Sequence, residues 1–246
     1  MNRTLFVDAT LQGVSLGLAE IRMGTPPRFV AIGAHFDNAR STAALHSMTN
    51  TLLQTAGWDL SSLTTVVAAR GPGSFTGIKV GLAFAQALAN GLNDSLKLVG
   101  VSGLMALAAA GPRDCLWLLP ATRHEGYAAY CRQDSLPQTL LLDATQGSLR
   151  WRDAATRHPA GSLDWVRQWH MVAAWPVATA KVPSGIEVLE FSPARITHET
   201  MMAVGDAFSD PERQHLFTVS EQVEPYYVRL SAPEERQSIV RVDHGT

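Results

Sequence analysis

The sequence has few charged residues and no long apolar run. Charged residues make up 17% of its 246 positions, and the formal net charge is −2. No apolar run approaches the roughly 20 residues that a membrane-spanning helix needs. The chain enters a predicted strand at once, without the pattern of a signal peptide. These absences predict a cytoplasmic protein that does not bind membranes.

Cysteine is sparse, and the histidines lack the spacing that is typical of metal ligands on a helix. The only cysteines, Cys115 and Cys131, lie in apolar runs. Two cysteines do not make a disulfide framework in a chain of this size, so we expect buried thiols in a reducing compartment. No two of the eight histidines are three or four residues apart, which is the spacing that places two ligands on one helix face. We therefore predict no metal site.

Basic residues form no dense run. The nearest approach is Arg150, Arg152 and Arg157, which are interleaved with Asp153. A protein that holds nucleic acid by itself usually has a basic patch, because phosphate contacts supply most of the affinity. If nucleic acid is handled, we expect another subunit to do most of the binding.

A glycine-rich segment, residues 71–77 (GPGSFTG), stands between an apolar run and a helical one. Such a turn either cradles a phosphate or lets two backbones approach closely. The Walker A spacing fails, because three residues separate Gly73 from Gly77 where that loop has four, and Ile78 follows Gly77 in place of lysine. The dinucleotide fingerprint fails at Thr76. An anion at the helix N-terminus and a structural turn capped by Ser74 or Thr76 both stay open.

The helix after this segment has small residues at intervals of four, at Gly77, Gly81 and Ala85. Lys79 is its only charged residue between Thr76 and Asn93. A stripe of small residues allows close helix packing. The pattern fits either a buried core helix or a helix that packs on the core and also on a partner.

The order of predicted elements is that of an α/β protein. In the first half the predicted strands are Leu5–Ala9, Val14–Ile21, Phe29–Phe36, Thr65–Ala69 and Lys97–Val101, and the predicted helices are Ser41–Ala56, Ile78–Leu92 and Ser102–Ala110. The second half predicts strands at Cys115–Leu119, Tyr127–Arg132, Thr139–Asp143 and Glu187–Phe191, a loop at 146–161, a short helix from Ser162 to His170 and a helix after Ser192-Pro193.

These motifs together resemble the TsaB/YeaZ family, a bacterial subunit of the machinery that makes threonylcarbamoyladenosine in tRNA. The resemblance rests on residues 5–10 (LFVDAT), 70–77 (RGPGSFTG) and 81–89, then on 99–102 (VGVS) and 224–229 (EPYYVR). After the first lobe, Glu125 and Tyr127 match the family pattern. The chain departs from it at three positions, with Pro120 in place of an acid, Thr122 in place of a base and Ser41 in place of a histidine. It therefore resembles a diverged member.

The resemblance implies a two-lobed α/β fold of the actin, Hsp70 and sugar-kinase (ASKHA) type. We expect an N-terminal lobe at residues 1–111, a smaller lobe at 112–230 and a polar tail at 231–246. The helix at 193–209 is a candidate to pack back on the first lobe.

The implied function is that of a non-catalytic scaffold or activator subunit. It would bind a TsaD-like catalytic paralogue that transfers threonylcarbamoyl to the adenosine beside the anticodon of tRNA. A TsaE-like ATPase would join the complex, tRNA would be contacted indirectly, and the chain alone would be able to form a homodimer. We expect no cofactor of its own, with ATP or ADP only at an interface in the complex, and no catalytic residue.

The predicted partner surface takes residues from the two helices and from the glycine segment between them. Its members are Ser41, Leu45, Met48, Leu52, Gly73, Ser74, Phe75, Thr76, Gly77, Val80, Gly81, Phe84, Ala85 and Leu88.

The alternative is an independent ASKHA-type small-molecule kinase or a glycoprotease-like peptidase. ATP-binding relatives of this fold carry a glycine in the hairpin after the first strand, where this chain has Thr10. Asp8 is either a metal ligand or a turn-capping group, and the second is commoner at a strand end. Ser74 does not lie in a G-x-S-x-G nucleophile elbow. These features count against the alternative.

Overall fold

The structure is a computed structural model. It describes residues 2–11, 13–36, 41–92, 96–112, 114–121, 125–131, 138–143, 150–152, 167–172, 185, 187–219 and 223–226. Some side chains within helices and strands are outside this description, namely those of Ser41, Thr42, Glu125, Gln138, Met171, Val172, residues 140–143 and residues 150–152.

The first sheet has six strands in the order β12-β5-β4-β1-β2-β3. These are β1 (Asn2–Asp8), β2 (Val14–Ile21), β3 (Arg28–His35), β4 (Thr65–Ala69), β5 (Lys97–Val101) and β12 (Phe217–Val219). The central strands β1, β4 and β5 run parallel, and β2, β3 and β12 are antiparallel to their neighbours. All five residues of β4 are buried, as a central strand covered on both faces requires.

Helices cover both faces of this sheet. On one face lie α1 (Ser41–Ala56) and α2 (Phe75–Leu92), which pack on apolar residues such as Leu5 and Val66. On the other face lie α3 (Gly103–Ala110) and α4 (Pro193–Ser209), which pack around Phe6. Because side chains alternate along a strand, Leu5 and Phe6 enter opposite cores.

The second sheet also has six strands, in the order β11-β10-β6-β7-β8-β9. Its strands are β6 (Cys115–Pro120), β7 (Glu125–Tyr130), β8 (Gln138–Asp143), β9 (Arg150–Arg152), β10 (Gln168–Val172) and β11 (Glu187–Phe191). Its buried residues Trp117 and Phe191 share one apolar cluster with α3 and α4 of the first sheet. The two sheets therefore meet across these helices.

Most predicted elements are present, with small shifts at their ends. Five elements have the predicted bounds, namely β2, β4, β5, β11 and α1. The helix α2 begins at Phe75 rather than Ile78. Ser102 is the N-cap of α3, since its hydroxyl accepts the Met105 N–H at 3.3 Å. Ser192 caps α4 in the same way, by accepting the Arg195 N–H at 3.2 Å.

Two predictions in the second half are wrong. The predicted helix ending at His170 is replaced at its described end by β10, which pairs in parallel with β6 on one side and β11 on the other. Pairing on both sides satisfies the backbone of Gln168 to Val172 better than an isolated short helix would. The predicted loop at 146–161 contains β9, which pairs with β8. Residues 162–166 lie outside the described residues.

Residues 193–219 pack with the first sheet although they follow the second sheet in the chain. The helix α4 contacts α3 and β2, and β12 pairs with β5. The predicted lobe boundaries at residues 111 and 230 stay predictions, and the tail at 231–246 lies outside the described residues. None of the helices in the described part of the chain has the length and apolarity needed to cross a membrane.

Candidate functional site

The glycine segment follows β4 and is docked on the end of β1. The Ser74 N–H donates to the Thr10 carbonyl at 2.8 Å. A side chain at Gly73 would overlap the Thr10 carbonyl, and one at Gly77 would overlap the Ala9 carbonyl. These two glycines therefore serve close approach to the chain's own backbone, which is the second of the two uses that the sequence allowed.

The start of α2 is capped from within the same segment. The Ser74 hydroxyl accepts the Gly77 N–H at 3.2 Å, and its carbonyl accepts the Ile78 N–H at 2.8 Å. Ser74 is thus the capping residue, one of the two candidates in the sequence. These bonds use amides that an anion at the helix N-terminus would otherwise contact.

A C-terminal segment holds the other side of the glycine segment. The Tyr226 N–H donates to the Arg70 carbonyl at 2.6 Å, and the Arg70 guanidinium lies over the Tyr226 ring at 5.8 Å. Gly71 has a φ of 115°, and a Cβ there would lie 2.5 Å from the Tyr226 carbonyl oxygen. The Arg70 side chain also donates to the Thr218 hydroxyl at 2.8 Å. The segment is thereby fixed from two sides.

The second sheet reaches the same place. The Tyr127 hydroxyl of β7 donates to the Gly73 carbonyl at 3.4 Å. Tyr127 is one of the two residues that keep the family pattern after the first lobe. The side chain of the other, Glu125, lies outside the described residues, as does Thr122. Pro120, a departure from that pattern, ends β6 opposite Gly126.

Asp8 ends β1 and is a turn-capping residue in this structure. One of its carboxylate oxygens accepts both the N–H and the hydroxyl of Thr10, each at 2.7 Å. Burial raises the pKa of Asp8 above its ordinary value, and the two Thr10 bonds act in the opposite direction. Among the described residues, no group of three His, Cys, Asp or Glu side chains is placed to hold a metal ion.

Four of the predicted partner residues lie in the chain's own core, which corrects their assignment to a surface. Leu45 and Ala85 are fully buried, and Leu52 is nearly so. Gly81 is also buried, and a Cβ there would lie 3.3 Å from the Ala9 Cβ. The stripe of small residues on α2 therefore faces β1, where it lets the helix pack closely on the sheet.

The other predicted residues lie at or near the surface. Ser74, Phe75 and Thr76 are exposed, with the Lys79 ammonium 4.2 Å from the centre of the Phe75 ring. Partial burial is shared by Met48, Gly73, Gly77, Val80, Phe84 and Leu88. The side chain of Ser41 lies outside the described residues. A role for these residues in binding a partner stays a prediction.

Sequence reasoning missed several exposed residues of α1 and α2. On α2 these include Ala83 and Ala87, in line with Lys79 at intervals of four. On α1 the exposed side chains are uncharged or histidine, namely Ala43, His46, Ser47, Asn50, Thr51, Gln54 and Thr55. The two helices contact each other, so these residues form one surface that we call the α1–α2 face. The helical period of the sequence contained this signal, because the outward stripe lies opposite the buried one.

Comparison with known proteins finds relatives that are named for tRNA modification. Residues 38–138, which include α1, α2 and the glycine segment, match the family described as TsaD, tRNA N6-adenosine threonylcarbamoyltransferase. The tRNA threonylcarbamoyladenosine biosynthesis protein TsaB of Escherichia coli (strain K12) is 38% identical over 79 residues. That match covers 31% of this chain and about a third of the relative's length.

Two solved structures have the same fold over nearly the whole chain. One is YeaZ from Pseudomonas aeruginosa, with a TM-score of 0.58, 20% identity and coverage of 92% of this chain and 100% of that one. The other is described as an uncharacterized protein with similarity to peptidase YEAZ from Pseudomonas aeruginosa, with a TM-score of 0.59, 20% identity and coverage of 93% and 100%. The predicted two-lobed ASKHA fold is confirmed, and so is the resemblance to the TsaB/YeaZ family.

Replacement of Gly73 by alanine tests the docking of the glycine segment. The new Cβ would press on the Thr10 carbonyl, so we expect the free energy of unfolding to fall by about 1–3 kcal/mol. Urea denaturation measures it. Gly91→Ala on α2 is the matched control, because nothing lies within 4 Å of a Cβ there, and it should be neutral or stabilise by up to about 1 kcal/mol. Equal effects of the two changes would contradict the docking.

Asp8→Asn tests the effect of burial on the pKa of the Asp8 carboxyl. Because the folded-state pKa of Asp8 is raised, its carboxyl favours folding most below its ordinary pKa of 3.8. That contribution is lost as the pH rises from 3.8 through the folded-state pKa. The amide still accepts the Thr10 bonds but does not ionise. Urea denaturation across pH should therefore show wild type losing stability relative to Asp8→Asn as the pH rises through this window. A difference in the free energy of unfolding that stays constant across pH would contradict a raised pKa of Asp8.

Proposed function

We propose that this chain, which resembles the TsaB/YeaZ family, is a cytoplasmic non-catalytic subunit in the biosynthesis of threonylcarbamoyladenosine in tRNA. It binds a TsaD-like catalytic paralogue and stabilises the conformation in which that subunit transfers threonylcarbamoyl to the adenosine beside the anticodon. A TsaE-like ATPase joins the complex, and tRNA is contacted mainly by other subunits. Any ATP or ADP would be bound only at an interface in the complex.

The observation that carries the proposal is the α1–α2 face. Both helices lie within the residues that match the TsaD family. The exposed residues of the face include one lysine and no acid, and Ala83 and Ala87 are small enough for a second pair of helices to approach closely. Burying such a face costs little desolvation, because few charges leave water.

The glycine segment supports the same surface. It fixes the first turn of α2 through Ser74 and Thr10, so Phe75 and Thr76 are held at the end of the α1–α2 face. A preorganised surface loses little conformational entropy on binding. A scaffold that binds one conformation of a catalytic partner more tightly shifts the partner's population toward it.

Ala83→Arg tests the α1–α2 face. An arginine there would place a long charged side chain between close-packed helices, and we expect affinity for the TsaD-like subunit to fall at least ten-fold. Isothermal titration with the purified subunit measures it. Ala110→Arg is the matched control, since Ala110 is exposed at the end of α3 on the other face of the sheet. Unchanged binding by a folded Ala83→Arg chain would rule this surface out.

Depletion of the protein tests the function in the cell. Because the catalytic subunit would lose its stabilising partner, threonylcarbamoyladenosine in total tRNA should fall severalfold, as measured by mass spectrometry of nucleosides. Unchanged modification after complete depletion would contradict the proposal. ATP or peptide turnover by the isolated chain that is lost in Asp8→Ala would favour the kinase or peptidase alternative instead.

A further inference from the structure

The two cysteines of the chain lie on neighbouring strands of the second sheet. Cys115 begins β6, and Cys131 directly follows β7. The two strands pair antiparallel, with Trp117 opposite Ala129 at the end of the paired stretch nearest the cysteines. The same register, continued by two residues on each strand, sets Cys115 opposite Cys131. The pairing of the strands thus brings together two residues that are well separated in the sequence.

Both thiols point into the same core. Side chains alternate along a strand, so Cys115 shares the face of Trp117 and Cys131 shares that of Ala129. Burial gives the same result independently of the register, because all four residues are buried members of the apolar cluster that also includes residues of α3 and α4. The exposed fractions of Cys115 and Cys131 are 1% and 4%. Both thiols are reduced in this structure.

The backbone at this pair suits a disulfide. Directly opposite residues of an antiparallel pair have Cα atoms about 4.5–5.5 Å apart. The Cα atoms of a disulfide are usually about 4.4–6.8 Å apart. A bond between Cys115 and Cys131 therefore requires no shift of either strand. A slip of one residue would place the two side chains on opposite faces of the sheet and prevent the bond.

We propose that Cys115 and Cys131 are the site of a reversible intramolecular disulfide, which staples the start of β6 to the end of β7 under oxidising conditions. The strand β7 also carries Tyr127, whose hydroxyl bonds to the Gly73 carbonyl, so the staple fixes the strand that reaches the glycine segment. In a reducing cytoplasm such a bond forms only on an oxidative change. The inference goes beyond the proposed function and does not depend on it, because neither cysteine lies on the α1–α2 face.

The oxidant is a small disulfide such as glutathione disulfide. The thiolate of one cysteine attacks a sulfur of the oxidant, whose S–S bond breaks and whose leaving thiolate takes up a proton. The thiolate of the other cysteine then attacks the protein sulfur of this mixed disulfide and releases the second glutathione. The two protein thiols lose two electrons and two protons, and one glutathione disulfide becomes two glutathione molecules.

Burial makes this exchange slow. It raises the pKa of the Cys115 thiol to about 12, so little thiolate is present near neutral pH. The cysteines lie just beyond the paired stretch of β6 and β7, which runs from Trp117–Ala129 to Pro120–Gly126. The end of a paired stretch opens at a lower free energy than its middle, which gives the oxidant access. Equilibrium is therefore approached both from the reduced chain and from the oxidised chain.

Thiol–disulfide equilibrium of the purified full chain tests the site. The chain is incubated with reduced and oxidised glutathione at set ratios, quenched with acid and labelled with N-ethylmaleimide in denaturant, and its intact mass is measured. We expect an unlabelled monomer that is two hydrogens lighter than the reduced chain, and dithiothreitol should restore both thiols. The same measurement in urea is the reference, because an unfolded chain can also close this loop. The effective concentration of the two thiols should be at least ten-fold higher in the native chain than in urea.

Cys131→Ala combined with Tyr130→Cys is the matched control. It moves one thiol by a single residue, to the opposite face of β7, and leaves the length of the closed loop almost unchanged. Its effective concentration in the native state should be at least ten-fold below that of wild type, while its value in urea stays the same. Circular dichroism shows that the variant is folded.

The other outcomes overturn the proposal. Native chains that hold only reduced thiols, glutathione adducts or intermolecular disulfides at equilibrium have no opposed pair of cysteines. Equal effective concentrations in native buffer and in urea, or in wild type and the control variant, would show that the fold does not bring the two thiols together. Binding of the TsaD-like subunit is measured separately, so each of these results leaves the proposed function standing.

Discussion

The contact between the glycine segment and the end of β1 is the constraint on which the rest of the site depends. Gly73 and Gly77 bring the start of α2 against the carbonyls of Thr10 and Ala9, at a distance that no side chain would permit. The hydrogen bond from the Ser74 N–H to the Thr10 carbonyl closes this contact. Any larger residue at either glycine would push α2 away from the sheet.

That contact fixes the direction of α2 and thereby decides which of its residues are exposed. With Gly81 against Ala9, the small stripe is buried and the opposite stripe, including Ala83, is presented to solvent. The glycine segment thus acts on partner binding indirectly, through the orientation of the helix. It also joins distant parts of the chain, because Tyr127 of the second sheet and Tyr226 near the C-terminus both bond to it or to its neighbour Arg70.

The turn after β1 satisfies its own polar groups. One carboxylate oxygen of Asp8 accepts both the N–H and the hydroxyl of Thr10. A residue without a hydroxyl at position 10 would keep only the first of these bonds. The Thr10 side chain therefore helps to hold the Asp8 carboxylate within the chain's own turn.

Much of the fold could be predicted because its signals are local. Ser192 caps α4 and Pro193 lies in its first turn, so the sequence places the start of this helix. The helix α1 has its predicted bounds because its apolar period indicates its extent and Gly57 follows its end. The resemblance motifs, read in order along the chain, were enough to give the fold type. These features depend on residues a few positions apart, whose interactions are the same in any tertiary context.

Other features were decided only by the tertiary structure. The small stripe of α2 fitted either a core helix or a helix that also packs on a partner, and contact with Ala9, which follows β1, assigned it to the core. His170 is in a strand because β6 and β11 pair on both sides of it. Sequence alone determined most of the helices and strands around the first sheet, whereas the pairing and packing of segments distant in the chain decided the strand at His170 and which faces of the elements meet solvent. The physical reason is that periodicity records two faces of an element without recording what lies against either one.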